Sequence, residues 1–371
     1  MLNHGGKLRE YAALYQRPLE EWVDLSTGVS PWTYPIGQIP TYVWNRLPED
    51  DDGLMEVAQQ YYGCESLLPV AGSQAAIMAL PCVILSSLIE SDCEGEGSCK
   101  KDIQIALPQV GYKEHEQAWR KALTQFPTVT ISLVFYPDEP SAEQLNSIDV
   151  LVVINPNNPT GHYVSANKLH LWQQALAVRG GWLVVDEAFM DLTPAHSLLH
   201  SNNPAVRANG AAETLSENRV VLRSIGKFFG LAGARVGFVI AQPKVLAPLQ
   251  ALLGPWTVAG PSRYILQQAL ADTPWQQQTR ERICAMADKL HQVLSLHFSS
   301  KDNLVEATMA SGILFHTVQL PHAAWWHQTL AKQGVLVRLC DEKHAIRFGL
   351  PHNDADLQRV NTVLTHIKDN Q

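Results

Sequence analysis

Runs of apolar, often β-branched residues recur along the first two thirds of the chain, and helix-like segments separate them. An apolar run of about five residues indicates a strand, whereas apolar positions three or four apart over ten or more residues indicate a helix. The pattern predicts helices at 54–62, 73–88, 112–123 and 166–178. It predicts strands at 103–107, 129–135, 150–154, 182–185 and 219–222.

The predicted strands lack the clean alternation of polar and apolar residues that a half-exposed strand shows, so both of their faces are expected to be buried. Alternation of such strands with helices indicates an α/β fold with a mostly parallel central sheet. Ligands in such sheets bind outside the carboxyl ends of the strands. Chemically active residues are therefore expected just after strands.

The pattern of predicted helices and strands changes after residue 242. Helical patterns cover 243–253 and 262–296, short strand-like pieces follow, and a helical pattern at 357–367 ends the chain. The strand-like pieces lie at 313–318, 335–339 and 346–349. We predict three parts: an irregular N-terminal arm at 1–40 that packs with the small domain, a large domain at 41–242, and a small α+β domain at 243–371.

Composition is that of a globular protein, with 46% hydrophobic and 17% charged residues. The net charge of −8 argues against a nucleic-acid partner, so local positive groups must hold any anionic ligand. The first residues are polar, and the longest apolar run, 75–89, contains Pro81 and is expected to be too short for a membrane span. These features predict a cytoplasmic protein with no membrane partner.

No metal is expected. The six cysteines form no CxxC pair, and reduced thiols are the default in the cytoplasm. His196 and His200 stand four apart in HSLLH, but the glutamate of a zinc HExxH site is missing. We interpret these two histidines as residues on a helix surface.

The stretch 224–235, SIGKFFGLAGAR, follows the predicted strand at 219–222. A lysine among small and aromatic residues loses its proton more easily, because burial disfavours the ammonium form. Lys227 therefore has the surroundings of a Schiff-base lysine. Ser224 and Arg235 could both bind one phosphate, which together with the lysine suggests pyridoxal 5′-phosphate. The alternative is an ordinary loop with one solvated lysine.

Three further motifs follow predicted strands or begin a predicted helix. Gly72 and Ser73 precede a helix-like run, which makes either an anion site or a simple N-cap. Asn158 lies in the loop NPNNPTG after one strand, and Asp186 follows the next. A carboxylate there could pair with a protonated pyridine nitrogen, or could merely cap a helix. The agreement of all these features favours the cofactor site.

The motifs GSQ, NPNNPTG, DEA, SIGK and Arg235 resemble those of the fold-type-I pyridoxal-phosphate enzymes, in the branch of the histidinol-phosphate aminotransferases. The resemblance covers nearly the whole chain. It implies that Lys227 forms the Schiff base with the cofactor, that Asp186 pairs with the pyridine nitrogen, and that Tyr112 stacks on the ring. It implies that Asn158 donates to the ring oxygen O3′. The residues implied to hold the cofactor phosphate are Gly72, Ser73, Ser224 and Arg235, and Gln74 is implied to bind the cofactor as well.

Within that branch, the chain more closely resembles the threonine-phosphate decarboxylase family of cobalamin biosynthesis. This resemblance rests on the motifs His4-Gly5-Gly6, the segment DLSTG that ends at Gly28, RLPEDDDGL, LPVAGSQAAI and DEAFMD. The resemblance implies decarboxylation of L-threonine O-3-phosphate and a homodimer. The implied substrate-binding residues are His4, Gly5, Gly28, Asn158, Arg338 and Arg347. Arg347 would bind the α-carboxylate, and His4 with the following glycine amides is our candidate for the substrate phosphate.

Two positions depart from the aminotransferase pattern. Phe189 stands where many aminotransferases have a tyrosine that reaches O3′, and Leu47 stands where many have a tyrosine that reaches the cofactor phosphate of the neighbouring subunit. Leucine cannot donate that bond. The alternatives to the decarboxylase are an aminotransferase of the histidinol-phosphate type and a non-catalytic member of the fold.

Overall fold

A computed structural model describes residues 4–93, 102–200, 218–298 and 308–370. Strands and helices alternate through these ranges. The strands are β1 (Val23–Asp24), β2 (Leu67–Val70), β3 (Asp102–Pro108), β4 (Thr130–Tyr136), β5 (Val150–Ile154), β6 (Trp182–Asp186), β7 (Arg219–Ser224), β8 (Gly237–Ala241), β9 (Thr308–Gly312), β10 (Phe315–Gln319), β11 (Val335–Leu336), β12 (Arg338–Leu339) and β13 (Ala345–Gly349). The helices are α1 (Leu8–Leu14), α2 (Thr41–Asn45), α3 (Leu54–Tyr62), α4 (Ser73–Cys93), α5 (Glu114–Leu123), α6 (Ala142–Ser147), α7 (Ala166–Ala177), α8 (Ile225–Phe228), α9 (Pro243–Leu253), α10 (Gly260–Ala271), α11 (Thr273–Phe298), α12 (Ala323–Lys332) and α13 (Asp354–Asp369).

The larger sheet within the described ranges has seven strands in the order β2-β8-β7-β6-β5-β3-β4. The strands from β7 to β4 pair in parallel, whereas β8 is antiparallel to both β7 and β2. Alternate residues of β5 pack into two different core clusters: Leu151 and Val153 into one, Val150 and Val152 into the other. The expected mostly parallel sheet, buried on both faces, is confirmed.

Helix α4 covers one face of this sheet and runs without interruption through Pro81. The helix predicted at 73–88 is confirmed and extends to Cys93. The expectation that this apolar stretch is too short for a membrane span is wrong, because residues 73–90 are long and apolar enough to cross a membrane by length and composition alone. In the structure, Ile84 and Leu85 of this helix are fully buried in the same core cluster as Val150 of the sheet. The helix is therefore part of the protein core.

A smaller, antiparallel sheet in the described C-terminal residues has the order β12-β13-β10-β9. The predicted helix at 262–296 is two helices, α10 and α11, separated at Asp272. The Oδ1 atom of Asp272 accepts a hydrogen bond from the backbone of Trp275, which caps the second helix. The predicted strand at 335–339 is likewise two short strands, β11 and β12.

The N-terminal arm is less irregular than its sequence suggests. It contains α1, and its strand β1 pairs in parallel with β11, Val23 opposite Val335. The arm thus contacts the C-terminal part of the chain through backbone hydrogen bonds. The division into an arm and two domains with boundaries at 40 and 242 stays a prediction.

Candidate active site

One cavity lies at the carboxyl ends of β5, β6 and β7. All nine residues that the sequence assigned to cofactor binding line it, although they come from six separate segments of the chain. They are Gly72, Ser73, Gln74, Tyr112, Asn158, Asp186, Ser224, Lys227 and Arg235. The expectation that these side chains follow strands explains why they meet, because parallel strands present their carboxyl ends at one edge.

Lys227 lies in the short helix α8, immediately after β7. Burial and the positive charge of Arg347 lower the pKa of its amine to about 8, against the opposing effect of Asp186. Its Nζ atom lies 5.4 Å from the centroid of the Phe189 ring. The backbone is fixed as well, since its carbonyl accepts from the Ser30 amide at 2.9 Å. An amine in this position is neutral far more often than an exposed one.

Asp186 ends β6 and has a partner that sequence reasoning missed. The Nε2 atom of His115 lies 2.9 Å from Asp186 Oδ2, and both side chains are buried. The other oxygen, Oδ1, accepts from the Ala188 amide at 3.0 Å. These contacts hold the carboxylate in one orientation at the cavity wall. A carboxylate so fixed fits the protonated ring nitrogen of pyridoxal phosphate.

The opposite end of the cavity fits a phosphate. Gly72 has φ +75°, and a Cβ added there would lie 3.0 Å from Arg235 Nη2, so the guanidinium packs directly over the glycine. The next residue, Ser73, begins the 21-residue helix α4, whose first backbone N–H groups lack partners within the helix. Ser224 adds a hydroxyl at the same cavity. A helix N-terminus beside an arginine is a suitable phosphate site.

Asn158 and Arg347 form one buried unit. Arg347 Nη1 donates to Asn158 Oδ1 at 2.6 Å, and Nη2 donates to the Ser26 carbonyl at 3.1 Å. Because the amide oxygen of Asn158 is engaged, its NH2 group is the part left to donate into the cavity. This orientation fits a donor to the cofactor oxygen O3′. The two Asn–Pro bonds of the surrounding loop, 155–156 and 158–159, are both cis.

Two arginines stand side by side near this unit. Arg338 of β12 is directly opposite Arg347 of β13. Burial and Arg338 lower the pKa of Arg347 to about 9. Arg338 Nη2 lies 3.4 Å from the Asp341 carboxylate. Like charges opposite each other in a sheet are unfavourable. An anionic ligand between them would relieve that repulsion.

Of the six predicted substrate residues, Asn158 lines the cavity, whereas Arg338, Arg347, His4, Gly5 and Gly28 do not. His4 Nε2 lies 2.7 Å from Glu114 Oε1, and its ring centroid is 6.2 Å from that of Tyr112. Gly5 packs against the Ser26 carbonyl, since a Cβ there would lie 2.1 Å from the oxygen. Gly28 is buried, and a Cβ added to it would lie 3.2 Å from the nearest ring atoms of Phe189 and Phe315. Their substrate roles stay predictions.

Sequence reasoning missed His115 and Glu114 because nothing local distinguishes them from other polar residues in the first turn of a helix. Their partners, Asp186 and His4, lie 71 and 110 residues away in the sequence. The one indication in the sequence was that Glu114 and His115 lie within three positions of Tyr112.

Within the ranges that the structure describes, no group of three or more histidine, cysteine, aspartate or glutamate residues could hold a metal ion. The interpretation of His196 and His200 as neighbours on a helix surface is wrong. A short 3-10 turn, Pro194–His196, ends at the first histidine, and no helix connects it to the second.

The chain is similar to one protein-family model and to several known proteins. A family model described as aminotransferase class I and II matches residues 96–364. The chain is 41% identical to the threonine-phosphate decarboxylase of Pseudomonas aeruginosa over all of its own length and 99% of that protein. It is 30% identical to a threonine-phosphate decarboxylase of a Sinorhizobium species, over 98% of each chain.

The fold has a counterpart among solved structures. The histidinol-phosphate aminotransferase of Sinorhizobium meliloti, solved in complex with pyridoxal 5′-phosphate, superposes with a TM-score of 0.72 at 15% identity. The match covers 99% of this chain and 96% of that one.

Proposed function

Because the chain belongs to the aminotransferase class I and II family, we propose that it acts as a pyridoxal-phosphate-dependent threonine-phosphate decarboxylase. It converts L-threonine O-3-phosphate into (R)-1-amino-2-propanol O-2-phosphate and CO₂, the step that supplies the aminopropanol linker of cobalamin. The observation that carries this proposal is the 41% identity to such an enzyme over the full length of the chain. The cavity with its low-pKa lysine supports it.

The residues of the cavity fit the cofactor. Lys227 would supply the amine for the aldehyde, Asp186 would pair with the ring nitrogen, and Tyr112 would pack on the ring. Asn158 would donate to O3′. Gly72, Ser73, Ser224 and Arg235 would hold the phosphate, with Gln74 beside them. When bound, pyridoxal phosphate supplies an electron sink for the pair released when a bond at the substrate Cα breaks.

His115 and Asp186 act together in this scheme. A buried carboxylate is costly unless it is hydrogen-bonded, and the His115 ring and the Ala188 amide supply those bonds. The charge of Asp186, held in place by these bonds, would favour a proton on the ring nitrogen of the bound cofactor. Phe189 has no hydroxyl to donate to O3′, so Asn158 would be the main donor to that oxygen.

Substrate orientation decides which bond at Cα breaks. Arg347 would bind the α-carboxylate, and Arg338 together with His4 and the amide of Gly5 would hold the substrate phosphate. Gly28 lets the chain lie close to the ring of Phe189, which lines the cavity, and to the ring of Phe315. Contacts to the remote phosphate fix the substrate so that its carboxylate, and not its hydrogen, leaves. After CO₂ departs, Lys227 Nζ is the group that delivers a proton to Cα.

The decisive experiment incubates the purified protein with threonine phosphate and traps the released CO₂. We expect stoichiometric CO₂ and aminopropanol phosphate. Lys227→Ala should release none, and Lys289→Ala, at an exposed lysine paired with Asp354, should match the wild type. CO₂ from the Lys227 variant would refute the assignment of that residue.

Absorbance spectra of the same protein with added cofactor separate the rival functions. Conversion of bound cofactor to its pyridoxamine form, followed by recovery with a 2-oxo acid, would identify an aminotransferase. A protein that stays colourless with added cofactor would be a non-catalytic member of the fold.

The protein is proposed to be a homodimer in the cytoplasm. Large apolar side chains of and beside α2 are exposed: Tyr42 at 60%, Trp44 at 66% and Leu47 at 62%. Such a cluster on a globular protein marks an interface. Sedimentation should give a dimer for the wild type and a monomer for Trp44→Ser. Leu296→Ser, at an exposed leucine of α11, is the control and should remain dimeric.

A further inference from the structure

Four polar side chains connect the N-terminal arm to the cofactor cavity. The hydroxyl of Tyr112 donates to Gln74 Oε1 at 3.0 Å, and Gln74 Nε2 donates to Glu114 Oε2 at 2.9 Å. The second oxygen of Glu114 lies 2.7 Å from His4 Nε2. The four residues come from the arm, from the first turn of α4 and from the beginning of α5. Glu114 is the member that all the others depend on.

Glu114 determines the orientation of its neighbours. An ionised carboxylate can only accept hydrogen bonds, so the Gln74 NH2 group must face Glu114 and the Gln74 oxygen must face Tyr112. The Tyr112 hydroxyl is thereby committed as a donor to Gln74. Burial and the charge of Glu114 raise the pKa of Tyr112 to about 12, so the phenol keeps the proton that this bond needs.

The position of Glu114 in the fold also favours one fixed placement of its carboxylate. It is the first residue of α5, where a negative side chain is stabilised by the helix N-terminus. Its side chain is 12% exposed, against 44% for the His4 side chain. The carboxylate therefore belongs to the rigid body of the protein, and the histidine is the more accessible partner.

The first residues of the arm also contact Ser26, which lies later in the same arm and beside Arg347. The Gly6 amide donates to Ser26 Oγ at 2.9 Å, and a side chain at Gly5 would collide with the Ser26 carbonyl. That same carbonyl accepts from Arg347 at 3.1 Å. The position of the arm is thus coupled to the residue expected to bind the substrate carboxylate.

We propose that Glu114 is a positioning residue that fixes Tyr112 through Gln74 and anchors the N-terminal arm over the active site through His4. The inference rests on the proposed function for the meaning of the site. It assigns Glu114 no contact with the reacting atoms. The first residues of the arm are held by the contact of His4 with Glu114 and by the hydrogen bond from the Gly6 amide to Ser26.

The test uses two variants that separate the two tasks. Glu114→Ala removes both bonds, so we expect about tenfold faster hydrogen exchange at the Gly6 amide and about tenfold weaker binding of pyridoxal phosphate. Glu114→Gln keeps an acceptor for Gln74 but loses the charge that binds His4. It should loosen Gly6 in the same way and leave cofactor affinity within about twofold of the wild type.

The matched control is Glu116→Ala, on the same helix, where the carboxylate pairs with Lys113 and Arg120. This variant should equal the wild type in both measurements. His4→Ala should speed exchange at Gly6 as much as Glu114→Gln does. The double variant should show no further increase, because both changes remove one shared bond.

Exchange at Gly6 and cofactor affinity that are the same in Glu114→Ala as in the Glu116 control would overturn the proposal. If the alanine variant fails to fold, Glu114→Gln decides the question, and unchanged exchange at Gly6 in that folded variant overturns the anchoring role. Neither measurement needs substrate. A wild-type protein that releases no CO₂ from threonine phosphate would therefore refute the proposed function without deciding the role of Glu114.

Discussion

The pKa of Lys227 should respond in opposite directions to the removal of its two charged neighbours. Burial is the largest cause of its low value, Arg347 lowers it further, and Asp186 raises it. Replacement of Arg347 by methionine removes a positive charge, which makes the ammonium form less unfavourable, so the pKa rises. Replacement of Asp186 by asparagine removes the favourable negative charge, so the pKa falls.

The lowered pKa changes the neutral fraction of the Lys227 amine enough to be measured. With a pKa of about 8 in place of 10.5, the neutral fraction at pH 7 rises from about 1 in 3000 to about 1 in 10. Only the neutral amine attacks a carbonyl or an anhydride. The wild-type amine is therefore about 300 times more available at pH 7 than the same amine in water.

The assay is competitive acetylation of the cofactor-free protein with trace acetic anhydride between pH 6 and 11. Mass spectrometry compares the extent of labelling at Lys227 with that at the exposed Lys289 in the same sample. Each rate is plotted against pH, and the midpoint gives the pKa independently of how easily the reagent enters the cavity. We expect a midpoint near 8 for Lys227 in the wild type, a higher one in Arg347→Met and a lower one in Asp186→Asn.

A wild-type midpoint near 10.5 would refute the argument that burial prepares this lysine for chemistry. Midpoints that move in the same direction in both variants would refute the attribution to Arg347 and Asp186. Circular dichroism of each variant serves as the check that the fold is retained.

Two further predictions concern buried contacts. His115→Phe removes a hydrogen bond to the buried carboxylate of Asp186 and should weaken the binding of pyridoxal phosphate about tenfold, measured by equilibrium absorbance titration, whereas an unchanged affinity would contradict a role in holding that carboxylate. Arg223→Met leaves Glu187 without its buried partner and should lower the free energy of unfolding by about 3–5 kcal/mol in urea, while Arg46→Met at an exposed ion pair should change it by less than about 1 kcal/mol.

The central strands and the cofactor cavity were predictable because both depend on local patterns. The apolar run at 150–154 is a strand with the predicted bounds, and the helix at 54–62 likewise. Asp186 and Ser224 could be placed together without a structure, because each ends a parallel strand of one sheet. Because parallel strands present their carboxyl ends at the same edge of the sheet, residues that end neighbouring strands are expected to lie close together.

The antiparallel additions to the sheet were not predictable in the same way. The strand at 67–70 is short and contains Pro69, and the strand at 237–241 begins with a glycine close behind the Arg235 motif. Neither pattern distinguishes a strand from a loop. Their pairing with each other joins residues about 170 positions apart, which no local pattern encodes.

The contacts that orient the site were also out of reach, for a related reason. His115 and Glu114 look like ordinary residues of a helix start, and their functions arise only when the sheet brings Asp186 and the N-terminal arm to the same place. Leu47 shows the converse. Its departure from the aminotransferase pattern was visible in the sequence, and the structure places the side chain at the exposed surface, 62% accessible.

The positive charges around the cavity bear on the two roles proposed for Lys227, nucleophile and proton donor. Arg235, Arg338 and Arg347 each lower the pKa of Lys227, in a chain whose net charge is −8. Anionic groups that bind these arginines neutralise the same charges, so an occupied site must raise the pKa of the amine. In the empty site about 1 in 10 of the Lys227 amines is neutral at pH 7, and this fraction is expected to fall when anionic groups pair with the arginines. The same positive charges that would attract anions therefore also influence the protonation state of the lysine.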